Sequence, residues 1–241
     1  MLELSRAAIY FVRRGQTFNS SYTVAESRIL HVSFPEEFGA DYHWRELRNA
    51  VRHVPNQSPI LDIGCGSGLI SRLIQTNLSY VGIDFNPNYL SRDWKGCAVD
   101  GKLVGSILRL PLMPESVKSV LLLHVIEHFP QQLQMPLLKE AYQVLAQGGT
   151  MIISTPNLGT LRNSDKFLPP NNPKHFHCLR IEELRDLLRQ VGFRKIRRHG
   201  YDIFVEYPSP LARLIPHVLR RALATAFPTL EKCPIFTALK E

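Results

Sequence analysis

Apolar positions recur in two rhythms along the 241 residues. From Asp41 to Val54 (DYHWRELRNAVRHV), Trp44, Leu47, Val51 and Val54 fall three to four apart, which gathers their side chains on one face of a helix. After the Pro55–Pro59 breaker the pattern changes to short continuous apolar runs, Ile60–Ile63 and Tyr80–Ile83, which read as buried strands. A glycine-rich turn and the amphipathic stretch Gly68–Thr76, a predicted helix, separate them. Further strands are predicted at Lys118–Leu123 and Thr150–Ser154, with a helix over Gln131–Ala146 that closes at Gly148-Gly149. Strands alternating with helices imply an α/β domain around a parallel sheet. Downstream, Ile181–Gln190 reads as a helix with acids in its first turn, and Lys195–Val205 and Ile235–Leu239 as strands. Residues 1–40 and the loop 156–177 flank the carboxyl edge of the sheet and carry no core pattern, so they are expected to cover the pocket of a domain spanning 41–241.

The net charge of +8 raises the question of a nucleic-acid or membrane partner. Residues 193–241 hold nine Lys/Arg against four Asp/Glu, so +5 of the +8 lies there. That tail lacks the interleaved aromatics of an RNA-binding strand and reads as a solvated basic surface, which argues against nucleic acid. Cys65, Cys97, Cys178 and Cys233 are too scattered for a zinc knuckle or a redox pair, as expected of a reducing cytoplasm. The start, MLELSRAAIYFVRRGQ, places Arg13 and Arg14 after its apolar stretch, the reverse of a secretory signal. No apolar run approaches the roughly 18 residues of a membrane span, so a soluble, cytoplasmic chain is expected. In 208–227 (PSPLARLIPHVLRRALATAF), Arg213, His217, Arg220 and Arg221 fall on one helical side, and Leu211, Leu214, Ile215, Val218 and Leu219 on another. Packing onto the domain is the leading expectation for this segment, with peripheral membrane contact as the alternative.

The densest chemistry lies in ILDIGCGSG, residues 60–68, at a strand-to-helix turn. Glycines at 64, 66 and 68 let the backbone turn sharply and approach a ligand. A dinucleotide loop of the GxGxxG type would need glycine where this chain has Leu69, which disfavours an NAD-dependent oxidoreductase. Asp62 is awkward beside phosphates but suits a ligand ammonium. Asp84 follows Gly64 by twenty residues, where an acid can accept hydrogen bonds from both ribose hydroxyls, and Phe85 is placed to lie against an adenine face.

This arrangement resembles the nucleoside-binding half of the class I S-adenosylmethionine-dependent methyltransferases, and the resemblance extends through LRLPLMPESVKSVLLLHVIEHF (108–129), GGTMIISTPN (148–157) and KHFHCLRIEELRDLLRQVGF (174–193). It implies a Rossmann-like, seven-stranded, mostly parallel sheet with an antiparallel strand near Pro234–Leu239, and S-adenosyl-L-methionine as cofactor. By the same resemblance Asp62, Gly64, Cys65 and Gly66 face the methionine portion of the cofactor, within the turn that Gly68 closes. Asp84 meets the ribose, Phe85 the adenine, and Ser106 and Ile107 border the base, with Gly105-Ser106 standing where many members carry an acid. Backbone at Leu123 and His124 closes the methionine end.

On the acceptor side, His124, Glu127 and His128 end the fourth strand, the edge where ligands bind in open α/β sheets. His128, beside Glu127, is the candidate proton acceptor; capping the next helix or holding the loop is the alternative role for both. The leading expectation is methyl transfer to an oxygen or nitrogen of a small-molecule or lipid-linked acceptor, without metal. Resemblance to small-RNA terminal 2′-O-methyltransferases supplies another reading, in which Glu127, His128 and His175 hold a divalent metal; His124 stands where that family has its first glutamate. A cofactor-binding but inactive partner subunit is the third.

Overall fold

The structure, a computed structural model, describes residues 10–11, 40–75, 77–90, 98–159, 174–200, 215–228, 231 and 233–241. Its strands are β1 (Tyr10–Phe11), β2 (Ile60–Ile63), β3 (Ser79–Asp84), β4 (Ala98–Val104), β5 (Val117–Leu123), β6 (Leu145–Ser154), β7 (Arg194–His199) and β8 (Ile235–Leu239). Its helices are α1 (Ala40–Val51), α2 (Pro87–Leu90), α3 (Gln131–Val144), α4 (Ile181–Val191) and α5 (His217–Ala226). All strands join one sheet in the order β1-β4-β3-β2-β5-β6-β8-β7. β4, β3, β2, β5 and β6 run parallel, and β8 is antiparallel to both β6 and β7. This is the expected seven-stranded sheet with its antiparallel strand at Ile235–Leu239. The addition is β1, which pairs antiparallel with the outer edge of β4 and raises the count to eight. Apart from β1 and Ala40, the expected 1–40 cap lies outside the described residues, as do 160–173 of the expected loop.

The central strands read as unbroken apolar runs because both their faces are covered. Leu61, Ile63, Val120, Leu122, Met151 and Ile153 point to one side, against Leu137, Leu138 and Ala141 of α3 and Leu184 and Leu188 of α4. Ile60, Tyr80, Leu121 and Ile152 point to the other, against Leu47 and Ala50 of α1 and the buried Ile70 and Ile74. Alternation along each strand therefore splits one apolar run into two cores, and the polar ends are left at the carboxyl edge.

Three expectations change. The helix predicted over Gly68–Thr76 is a short 3-10 turn at Ile70–Arg72, where the Ser71 hydroxyl donates to the Gly68 carbonyl at 2.7 Å and tightens the backbone. Gly148-Gly149 does not stop a helix. α3 ends at Val144 and the glycines lie inside β6, where Gly148 at φ +71° and Gly149 bond to Lys240 beyond β8. β4 was not expected, because Asp100, Gly101 and Lys102 interrupt its apolar pattern.

Candidate active site at the carboxyl edge

β2 carries Asp62 to the edge and the chain then turns through Gly64, Gly66 and Gly68 at φ +70°, +51° and +76°, a conformation glycine adopts freely. A Cβ on Gly64 would stand 2.6 Å from Val125 Cγ2, whereas one on Gly66 would meet nothing within 4 Å. The first glycine is thus required by packing, and the second faces open space that can accept a ligand. Asp84 is fixed against this turn: Oδ2 accepts the Gly66 N–H and Oδ1 the Asn86 N–H, both at 2.9 Å. Each oxygen keeps acceptor capacity for a hydroxyl. Asp62 accepts the Tyr80 hydroxyl.

Burial pushes the Asp62 carboxyl up to about 7; the Tyr80 hydroxyl opposes this and Asp84 adds to it. Burial raises Asp84 as well, against N–H donors of Asn86, Gly66 and Phe85. Neither acid forms an ion pair with a lysine or arginine among the described residues. Cys65 is buried and its thiol is held protonated, first by burial and then by Asp62 and Asp84. Gly68 N–H closes the turn onto the Cys65 carbonyl at 3.0 Å. Phe85 is half-buried beside Asp84, Ile107 is buried, and Ser106 is exposed with its hydroxyl accepting the Leu108 N–H at 3.3 Å. Leu123 pairs with Ser154, and the His124 N–H donates to the Ser154 carbonyl at 3.0 Å, so this backbone would offer a ligand its carbonyl.

At the end of β5, His124 adopts φ +56°, a strained conformation for a residue with a side chain. Two acids hold it there: Glu46 Oε1 of α1 lies 2.5 Å from Nε2, and Glu127 Oε1 lies 3.3 Å from Nδ1. Burial alone would lower the pKa of the ring, but Glu46 and then Glu127 lift it to about 10. Glu127, which burial would raise, is instead lowered to about 2 by His124, His128 and His175; its Oε2 accepts the Thr155 hydroxyl at 3.1 Å. His128 Nδ1 lies 2.8 Å from the Lys174 carbonyl. A carbonyl only accepts, so His128 Nδ1 carries the proton of this contact. α3 begins at Pro130 without a side-chain cap, so neither Glu127 nor His128 caps it.

Two groups of potential metal ligands meet here. Glu127, His128 and His175 are all buried, with one ligand atom from each within 4.8 Å of the others; Glu46, His124 and Cys233 lie equally close, with His124 half-buried. The first set, the sequence-derived alternative, fits a cation of intermediate softness, with the Lys174 carbonyl orienting the His128 ring. The second does not fit. Both nitrogens of His124 face carboxylates, so the ring is an imidazolium with no lone pair to give. Sequence reasoning missed Glu46, because it is 78 residues from its partner and sits among exposed-looking polar positions of α1. The available signal was its place beside Leu47 on the buried stripe.

Residues 61–153 match the family model described as a methyltransferase domain. The chain is 32% identical over 135 residues to a probable S-adenosylmethionine-dependent methyltransferase of Mycolicibacterium smegmatis, an alignment covering 56% of this chain and 51% of that one. It therefore spans about half the length of that curated relative. In fold it resembles a SAM-dependent methyltransferase of Archaeoglobus fulgidus (TM-score 0.60, 18% identity, 83% of this chain and 94% of that one). It also resembles phosphoethanolamine N-methyltransferase 2 of Haemonchus contortus, solved with S-adenosyl-L-methionine (TM-score 0.56, 16% identity, 82% and 52%). The family model and the relative support a class I S-adenosylmethionine-dependent methyltransferase domain over the matched residues, and the solved structures share its fold.

Proposed function

We propose that this protein binds S-adenosylmethionine along the Gly64–Gly68 turn and transfers its methyl group to an oxygen or nitrogen of a small-molecule or lipid-linked acceptor. The observation that carries this reading is a pair of buried acids, Asp62 and Asp84, beside open space at Gly66 and without an ion pair to a cation among the described residues. That donor set fits a ligand bringing both an ammonium and a ribose diol. When bound, the cofactor supplies an electrophilic methyl on a sulfonium. Asp84 would accept the ribose hydroxyls, Asp62 would face the ammonium, and His128 Nε2 would take the proton from an acceptor O–H or N–H. Glu127 is held as a carboxylate by its histidines, so it supports the site as a fixed charge rather than as a base.

Calorimetric titration with S-adenosylmethionine tests the first half. Saturable binding weakened about 100-fold by Asp84→Ala, as expected for losing two hydrogen bonds to a charged group, supports it; no binding to the wild type removes it. An acceptor screen by S-adenosylhomocysteine release tests the second. With the acceptor in hand, His128→Ala should lower turnover roughly 10²- to 10⁴-fold, and near-normal turnover would exclude His128 as the base.

The approach of Glu127, His128 and His175 to within 4.8 Å favours one other reading, a metal-assisted transfer to an RNA 2′-hydroxyl. Elemental analysis of untagged protein decides this. A metal ratio near zero, with activity unchanged by chelator, rules it out.

A further inference from the structure

The sheet buries most of its apolar side chains, yet α5 and the residue after it keep three large ones in solvent: Val218 is 80% exposed, Leu219 51% and Phe227 55%. Val218, Leu219, Ala222 and Ala226 fall within roughly 100° of helical arc, and all four are exposed. The helix is nonetheless firmly seated. The Arg198 guanidinium donates to the Ala224 and Thr225 carbonyls at 2.9 and 2.7 Å and pairs with Glu231, and Ala224 is buried against the domain. Packing onto the domain thus uses the Ala224 side and leaves the apolar stripe facing outward, a patch that marks an interaction surface.

The charge beside the stripe selects the occupant. Arg221 is exposed on α5, and it acts with Arg52 on His53 and with Arg197 on His199, two rings stacked at 3.8 Å. Burial first, then His199, Arg221 and Arg52, lower His53 to about 4, and burial followed by Arg197, Arg221 and Arg198 lowers His199. Arg52, Arg197 and Arg221 are exposed and have no carboxylate partner among the described residues. A second copy docked face to face would set this positive rim against itself. An anionic bilayer offers acyl chains to the stripe and phosphates to the rim.

We propose that α5 is a membrane-surface helix, with Val218, Leu219 and Phe227 entering the headgroup–acyl boundary of an anionic bilayer while Arg52, Arg197 and Arg221 meet its headgroups. The C-terminal end of α5 belongs to the catalytic edge of the sheet. Just beyond it, the Glu231 carbonyl accepts from Asn157 Nδ2 at 2.9 Å, and Ile235 pairs with Ser154 at the carboxyl end of β6. A docked helix therefore turns that edge toward the membrane, and the acceptor is drawn from the lipid phase; this last step rests on the methyl-transfer reading, whereas the surface does not.

Co-sedimentation with phosphatidylcholine vesicles containing phosphatidylglycerol, at low and physiological salt, tests the surface. The expected result is binding that pure phosphatidylcholine does not support and that salt weakens. Arg221→Gln should reduce it about fivefold, and the Val218→Ser/Leu219→Ser double variant roughly tenfold or more, with S-adenosylmethionine titration unchanged in both. No binding to the anionic vesicles, or equal binding by the double variant, overturns the proposal. So does a lipid-free dimer in sedimentation equilibrium that the double variant dissociates, which would assign the face to a second copy. Vesicle binding by a protein that fails to bind S-adenosylmethionine would leave the surface standing and remove the functional reading instead.

Discussion

Four buried acids stand at one edge of this sheet in two different states. Asp62 and Asp84, at the ends of β2 and β3, face a phenol and backbone N–H groups, and burial raises both carboxyls. Glu46 and Glu127 flank β5 and share the ring of His124, so that Glu127 is lowered to about 2 and His124 raised to about 10. One half of the edge has no counter-charge among the described residues; the other carries its own in the ring of His124. A buried carboxylate is thus a binding group or a structural one according to whether the chain provides its counter-charge.

The comparison can be broken most strongly at Glu46. Glu46→Gln leaves the imidazolium short of one partner and should destabilise the fold by about 3 kcal/mol, a fall in Tm of roughly 6–12 °C by calorimetry, with S-adenosylmethionine affinity within about twofold of wild type. An unchanged Tm would refute the clamp. Asp62→Asn should do the reverse, weakening S-adenosylmethionine binding about tenfold while raising stability at pH 8. Lower stability would mean that Asp62 is structurally paired.

The pH dependence separates the halves further. Asp62, raised from 3.8 to about 7, contributes stability that is present below pH 3.8 and lost as pH rises through about 7, so the gain from Asp62→Asn should grow across that window and then level. His124 contributes fully below 6.5 and loses its contribution as pH rises through about 10, while Glu127 contributes above 4.5 and loses it as pH falls through about 2. Wild type should therefore lose stability toward pH 10 more steeply than Glu46→Gln in thermal melts. The smallest effect is a proton count. Cofactor binding at pH 7 should release up to about half a proton as Asp62 ionises beside the ammonium, seen as a buffer-dependent binding enthalpy that Asp62→Asn abolishes.

What was legible in the sequence follows from the range of each interaction. β2 and β8 match their predicted bounds, and β3, β5 and α4 come within a residue, since each rests on a continuous local pattern. The glycine turn and Asp84 were readable because about twenty residues of βαβ chain fix their spacing. β4 escaped because its core-facing residues are separated by Asp100, Gly101 and Lys102. The Glu46–His124 pair escaped for a different reason: two polar residues 78 apart carry no periodicity that could announce their contact. Likewise, the approach of His128 to His175 depends on Glu127 backbone accepting the Phe176 and His177 N–H groups at 2.9 and 3.3 Å, a loop closure without a side-chain signature.

The outermost strand, β7, reads Arg-Lys-Ile-Arg-Arg-His. Its register against β8 slips between Arg194 and Arg197, with Lys195 at φ +44°. An open strand is a template on which another chain can lengthen the sheet, and a bulge with four cations in six residues is a poor one. Part of the basic excess is therefore a colloidal safeguard: with Lys195 and Arg198 paired to Glu241 and Glu231, Arg194 and Arg197 are left to repel another copy along this border, and added salt, by screening that repulsion, favours aggregation there.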